Sequence, residues 1–260
     1  MWAGSWTKQT SNRIKAATGL LPPKDDPDFD EKVRDISQTY LSALERSEHG
    51  ERTICTDEMT GIQAIERKAK ELPMKPGHVQ RREFEYIRHG TQSLISSFDV
   101  TSGKIVCPKV GDTRTEADYS EHIRCVIASD PKATKWHLIC DCLNTHQSEA
   151  LVRLVAADEG IADEVLGIKG KSGILQSMQT RAEFLSNPSH SIVFHYTPKH
   201  SSWLNQIEIW FSILVRKLLK RGSFCNVNDL KAKILDFIAY FNDTMAKPFK
   251  WTYKGKALAA

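Results

Sequence analysis

The amino-acid sequence predicts an α/β fold, a mixed sheet covered by helices on both faces. Three observations carry this expectation. Short apolar runs dominate the first part of the chain, helical and strand-like segments then alternate, and two long amphipathic helices close it. At 260 residues the chain can bury a substantial core, as one large domain or one domain with an appendage. Charged residues at 26% and apolar residues at 40% are ordinary for a soluble globular protein. No apolar run approaches the roughly 20 residues of a membrane helix. The first residues, Met1-Trp2-Ala3-Gly4-Ser5, lack a basic-then-apolar signal pattern, so the expected location is the cytoplasm.

Residues 1–48 read as an arm or linker. Pro22-Pro23 breaks regular structure, and Lys24-Asp25-Asp26-Pro27-Asp28 is a polar turn leading into a helix near Glu31 to Leu44. Residues 49–260 are expected to form the main domain. Thr53-Ile54-Cys55-Thr56 reads as a short buried strand ending at Asp57-Glu58, with Gly61 to Glu66 pairing back as a second strand. Gln92 to Val100 and Lys104 to Val110, parted by Thr101-Ser102-Gly103, read as a hairpin. Thr115, with Asp118 three residues on, caps a helix whose apolar face is Tyr119, Ile123, Val126 and Ile127. Trp136 to Cys140 is a short strand ending at Asp141, and a helix follows from about Gln147 to Ala157.

Residues 158–190, glycine-containing and net acidic, read as an insertion with one helix around Ile174 to Leu185. Ser191 to Tyr196 is a further strand, stopped by Pro198. The closing helices span about 205–221 and 228–242. Ile207, Trp210, Phe211, Leu214 and Leu218 share one face of the first, and Leu230, Ile234, Phe237, Ile238 and Phe241 one face of the second.

The six cysteines form no Cys-x-x-Cys pair and are expected as reduced, buried thiols. Cys140 and Cys142 flank Asp141 with His137 and His146 nearby, a conceivable zinc site. Strand alternation instead puts both sulfurs on the face opposite Asp141. The net charge of +4 is uneven: residues 201–260 hold ten Lys/Arg against four Asp/Glu, or +6, leaving −2 for the rest. A basic C-terminal quarter points to a polyanion partner.

Three acids stand where acids are awkward. Asp57 and Asp141 each end a short apolar strand, and Glu208 lies in the first turn of an amphipathic helix. A carboxylate beside a core needs a partner, because burying an unpaired charge is costly. Magnesium would supply one, taking a few carboxylates plus phosphate oxygens, and two such ions suit phosphodiester chemistry. Each acid also has a plain structural alternative. Asp57 could be a turn residue before Gly61, Asp141 could cap the next helix, and Asn205-Gln206-Ile207-Glu208 matches a capping box.

The segment from His195 to Glu208, His-Tyr-Thr-Pro-Lys-His-Ser-Ser-Trp-Leu-Asn-Gln-Ile-Glu, resembles the third-acid motif of the mariner superfamily of transposases, most of all its bacterial insertion-sequence-630 branch. Leu138 to His146 (Leu-Ile-Cys-Asp-Cys-Leu-Asn-Thr-His) resembles the second-acid motif, and Thr56-Asp57-Glu58-Met59-Thr60-Gly61 the first. The resemblance runs from about Asp25 to the C-terminus, including Pro248-Phe249-Lys250-Trp251-Thr252. It implies an RNase H-like fold in which Asp57, Asp141 and Glu208 are the catalytic, metal-binding triad, holding two Mg2+ or Mn2+ ions. It also implies cut-and-paste transposition, in which metal-activated water cleaves double-stranded DNA at the element's ends and the freed 3′-hydroxyl attacks target DNA. A homodimer on DNA, in the bacterial cytoplasm at the nucleoid, is the implied setting.

The chain departs from that pattern twice. Asp141 and Glu208 are 67 positions apart, more than in typical mariner relatives, and the 158–190 insertion accounts for the excess. The helix-turn-helix region that usually reads the terminal repeats is expected to be missing, which leaves a truncated, non-catalytic DNA-binding remnant as the alternative reading. Glu58 points to the other strand face and stays outside the triad.

Further candidates are weaker. Arg216, Lys217, Lys220 and Arg221 form two i, i+4 basic pairs suited to DNA phosphates, and Lys199 and His200 are further candidate DNA contacts. His195 is expected to pack. Trp251 and Tyr253, between Lys250 and Lys254, are expected to dock the tail rather than stack on bases. Gly170-Lys171-Ser172 ends like a phosphate-binding loop, but Val165 stands where that loop needs glycine.

Overall fold

The computed structural model describes residues 26–69, 72–81 and 83–253. Pro22-Pro23, the start of the polar turn and Lys254 lie outside them. Two helices, α1 (Phe29–Leu41) and α2 (Ala43–Glu48), precede three strands, β1 (Glu51–Arg67), β2 (Tyr86–Asp99) and β3 (Ile105–Gly111). Helix α3 (Glu116–Ala128) leads to β4 (Lys135–Cys140), followed by α4 (Glu149–Asp158), α5 (Asp163–Leu166) and α6 (Met178–Leu185). Strand β5 (Ile192–Tyr196) then feeds α7 (Ile207–Leu214), a π turn (Val215–Leu219) and α8 (Val227–Thr244). None of the described helices is long and apolar enough to cross a membrane.

The strands form one mixed sheet in the order β3-β2-β1-β4-β5. Antiparallel pairing joins β1 to β2 and β2 to β3, whereas β1, β4 and β5 run parallel. Side chains alternate between two cores. Cys55, Leu94, Phe98 and Ile139 face one core with α1, α7 and α8. Ile54, Ile95, Leu138, Cys140 and Phe194 face the other with α3, α4 and α6. The mixed sheet with helices on both faces is the fold class the sequence predicts.

The predicted apolar faces of both closing helices are the ones that pack. At α3 the capping box forms as expected, Thr115 accepting from the Asp118 N–H and Asp118 from the Thr115 N–H. Three expectations need correction. Gly61 to Glu66 does not turn back on Thr53 to Thr56. Both belong to the continuous 17-residue β1, whose register against β2 slips between Met59 and Ile62, with Gly61 at φ +67°. The slip takes up the break in alternation that looked like a turn.

The second concerns residues 29–48, read as part of an arm or linker: the expected helix forms, but it packs on the sheet. Phe29, Val33, Ile36, Tyr40 and Ala43 are buried in the first core. Third, Cys107 on β3 and Cys125 on α3 form a disulfide, and Cys225 is exposed. Packing of α3 on β3 brings the two Cα atoms within 6.1 Å, inside disulfide range. Only the tertiary fold reveals that proximity. Within 158–190, α6 supplies the expected helix and α5 a short additional one.

Candidate active site

Parallel pairing of β1 with β4 ends at Cys55 opposite Ile139. Two residues further along each chain come Asp57 and Asp141. Alternation therefore brings both carboxylates over the face that α7 covers, at the C-terminal end of the parallel strands, where α/β sheets place their ligands. Among the described residues the group that could hold a cation is Asp57, Asp141 and His146, whose candidate ligand atoms all lie within 4.8 Å of one another. Glu208 is not in that group. It is half-buried in the first turn of α7. A groove of about 490 Å³ runs beside it between the β1 slip and α7, with Glu58, Met59, Thr60, Glu208, Phe211 and Arg216 among its lining residues.

Electrostatics separates the acids. Burial, reinforced by the charges of Asp141 and Glu58, pushes the Asp57 carboxyl up from 3.8 to about 7 although His146 opposes the shift. Glu208 is raised too, by burial and then by the Asp141 charge. Burial acts on Asp141 as well, but hydrogen bonding and charge from His146 outweigh it and hold that carboxyl low. Burial lowers the His146 pKa, yet its bonds to Asp141 and Glu58 prevail and raise it to about 10. Two neighbouring carboxylates, of which the buried Asp57 has a raised pKa, are a donor set that a divalent cation relieves, so the residues present fit a hard metal ion.

Three residues at this site were not foreseen in these roles. His146 has both ring nitrogens on carboxylates, Nδ1 2.7 Å from Asp141 Oδ1 and Nε2 3.0 Å from Glu58 Oε2. A 3-10 turn over Asn144–Gln147 bends the chain back to bring the ring there. Glu58 does leave β1 on the opposite face, as alternation requires, and there it meets His146. Asn205 is the third. The capping box read from Asn205 to Glu208 is not formed, because Gln206 occupies the N-cap and makes no side-chain cap bond. The buried Asn205 amide instead donates to the Thr56 carbonyl at 3.1 Å and to Asp57 Oδ2 at 3.4 Å, tying the third-acid segment to the first acid.

Elsewhere the expectations divide. Cys140 and Cys142 pack with the second core, away from the Asp57 face, and no cysteine joins a group of three metal-type ligands among the described residues. Arg216, Lys217, Lys220 and Arg221 are all exposed, on or just after the π turn. Lys199 and His200 are exposed as well. His200 takes a left-handed φ of 59° in the tight turn after Pro198, and the Lys199 N–H donates to Asp26 Oδ2.

His195 packs at a chain of polar contacts. Its Nε2 lies 3.0 Å from His137 Nδ1 and its Nδ1 2.7 Å from Asp35 Oδ2, which anchors α1 to the sheet. Trp251 stacks on Tyr40 with ring centroids 4.3 Å apart, and Tyr253 meets Trp203 edge-on, so the tail docks as expected. Gly170-Lys171-Ser172 sits in a small loop closed by a bridge between Ile168 and Ser172, without the strand and helix of a phosphate loop.

Five strands in this order, helices on both faces and two acids just past the parallel pairing of β1 with β4 define an RNase H-like fold. A family model for the DDE superfamily endonuclease matches residues 52–231, more than half of the chain, and the protein belongs to that family. Among solved structures the fold is similar to the Mos1 mariner paired end complex with Mn. The TM-score is 0.51 at 14% identity, covering 92% of this chain and 59% of that one. The Mos1 strand transfer complex aligns with a TM-score of 0.50 at 14% identity, over 88% and 59%. At such identity the likeness is one of fold, and the chain spans about three fifths of the length of these structures. No curated protein matches in sequence.

Proposed function

We propose that this chain is the catalytic part of a cut-and-paste DNA transposase of the bacterial insertion-sequence-630 branch, acting in the cytoplasm at the nucleoid. Asp57, Asp141 and Glu208 would hold two Mg2+ or Mn2+ ions. The observation that carries this reading is the pair of carboxylates two residues past the point where β1 and β4 stop pairing with each other. Burial, reinforced by the Asp141 charge, raises the Asp57 pKa to about 7. Glu208 lines the groove beside them and feels the Asp141 charge. Bound there, divalent ions would activate an attacking oxygen and stabilise the departing one.

The chain's own residues orient the rest. Asn205 steadies Asp57, and the exposed Arg216, Lys217, Lys220 and Arg221 run onward from the groove as seats for DNA phosphates, with Lys199 and His200 as further contacts. In the first step an oxygen of water attacks phosphorus at the element's end. The P–O3′ bond breaks, leaving a 3′-hydroxyl and a 5′-phosphate. In the second, that 3′-oxygen attacks a target phosphorus and displaces the target's own 3′-oxygen. Both steps would take place on a homodimer bound to double-stranded DNA.

The test uses purified protein, DNA carrying the element's ends and target DNA. Wild-type protein should cleave and join only with Mg2+ or Mn2+, and Asp141→Asn should do neither while keeping its circular dichroism. DNA binding without cleavage in any divalent metal would favour a non-catalytic remnant, and full activity of Asp141→Asn would remove Asp141 from the site.

A further inference from the structure

Asp141 is not left to choose its own rotamer. The Leu143 N–H donates to Asp141 Oδ1 at 3.0 Å, and His146 Nδ1 meets the same oxygen at 2.7 Å. Both protein contacts fall on Oδ1, which leaves Oδ2 for a cation. His146 is fixed in turn. Its side chain is 0% exposed and its ring lies 4.3 Å from that of Tyr119. Its N–H donates to the Leu143 carbonyl at 3.0 Å, and its carbonyl accepts the Tyr196 hydroxyl at 2.8 Å. The far ring nitrogen meets Glu58 Oε2 at 3.0 Å, and the Thr145 hydroxyl donates to the other Glu58 oxygen at 3.3 Å. The Glu58 side chain is only 1% exposed.

A buried carboxylate next to Asp57 on β1 would crowd the acids if it faced them. Strand alternation sends it to the opposite face, where its charge is matched by the imidazole that holds Asp141. The result is a three-link chain, Glu58 to His146 to Asp141, that reaches the carboxylates from the α3 side; Glu58 also borders the groove against α7, but its side chain is turned into the chain and only 1% exposed. Both ring nitrogens are committed to carboxylates, so ligation by His146 would require breaking one of these bonds.

We propose that Glu58 and His146 are a positioning pair that orients the Asp141 carboxylate toward the catalytic cation without either residue binding that cation. This inference rests on the transposase reading for the identity of the bound ion. Partners of this kind behind a metal ligand typically contribute roughly 10- to 100-fold to metal affinity or activity. The geometry also separates charge from shape. Gln at position 58 keeps an oxygen that accepts from His146 Nε2, whereas Ala removes the acceptor and leaves the ring free to turn.

The test is Mn2+ titration of the full chain followed by electron paramagnetic resonance, run beside DNA cleavage. Glu58→Ala and His146→Gln should each weaken Mn2+ binding by roughly 10- to 100-fold. Glu58→Gln should stay within about threefold of wild type. The wild-type protein gives an independent reading that needs no variant. Pulsed spectra of its bound Mn2+ should lack the strong nitrogen coupling of a directly ligated imidazole. Direct nitrogen ligation in the wild-type protein would overturn the proposal, as would unchanged Mn2+ affinity in a folded Glu58→Ala. In either case loss of Mn2+ binding and cleavage in Asp141→Asn would leave the transposase reading standing. A wild-type protein that binds no Mn2+ and cleaves no DNA would overturn both.

Discussion

Replacing Asp57 by Asn should stabilise the metal-free protein at neutral and alkaline pH, although it removes a residue proposed to bind the metal. The side chain is 7% exposed, and its carboxyl rises from 3.8 to about 7 on folding. A carboxyl whose folded pKa is raised binds its proton more tightly in the native state. Below pH 3.8 both states are protonated and the group is neutral in its effect. Between 3.8 and 7 the unfolded chain ionises first, and native stability falls as pH rises. Above 7 the penalty is complete. At ~1.36 kcal/mol per pH unit the ceiling is about 4 kcal/mol. Asn, similar in shape and uncharged, should recover a large share of it.

Thermal melts of wild-type and Asp57→Asn protein at pH 4, 6 and 8 in a chelator provide the assay. At pH 8 the variant should melt several degrees higher, and the gap should close toward pH 4. Millimolar Mg2+ or Mn2+ should raise the wild-type midpoint and leave the variant little changed. A variant that melts at or below wild type at pH 8 without metal would refute the argument that crowding and burial penalise this charge.

Phosphate contact by the basic π-turn segment predicts a salt signature. Substituting Gln singly for Arg216, Lys217 or Lys220 should weaken binding of every DNA sequence alike. Each lost contact should reduce the slope of log K against log salt by about 0.9 in filter-binding titrations. The disulfide predicts a stability effect. Cys125→Ser opens a link across 18 positions and should cost roughly 3 kcal/mol, read from the denaturant midpoint under oxidising conditions.

What could be read from sequence was what local periodicity encodes. The apolar faces of α7 and α8 and the Thr115–Asp118 capping box depend on neighbours three or four positions apart, and each forms as expected. Asp141 could be placed just past a strand end because the apolar run stops there, whereas Asp57, read as a strand end for the same reason, lies inside the long β1 and marks only where its pairing with β4 stops. What escaped was decided by contacts distant along the chain. His146 and Glu58 are 88 positions apart, and Asn205 reaches Asp57 across 148. A capping box was the local reading of Asn205, and the tertiary partner won because a buried amide facing the Thr56 carbonyl satisfies both groups. The slip in β1 was mistaken for a turn because Gly61 and an interrupted alternation look alike in both cases. The disulfide was hidden for the same reason as the histidine, since only packing of α3 on β3 brings its halves together.

The sharpest single experiment is anomalous diffraction from crystals of the protein soaked in Mn2+. A strong peak between the carboxylates of Asp57 and Asp141, with Glu208 drawn to it, is the predicted outcome. No peak at saturating Mn2+, or one that engages neither Asp57 nor Asp141, would contradict a metal-dependent active site where β1 and β4 part.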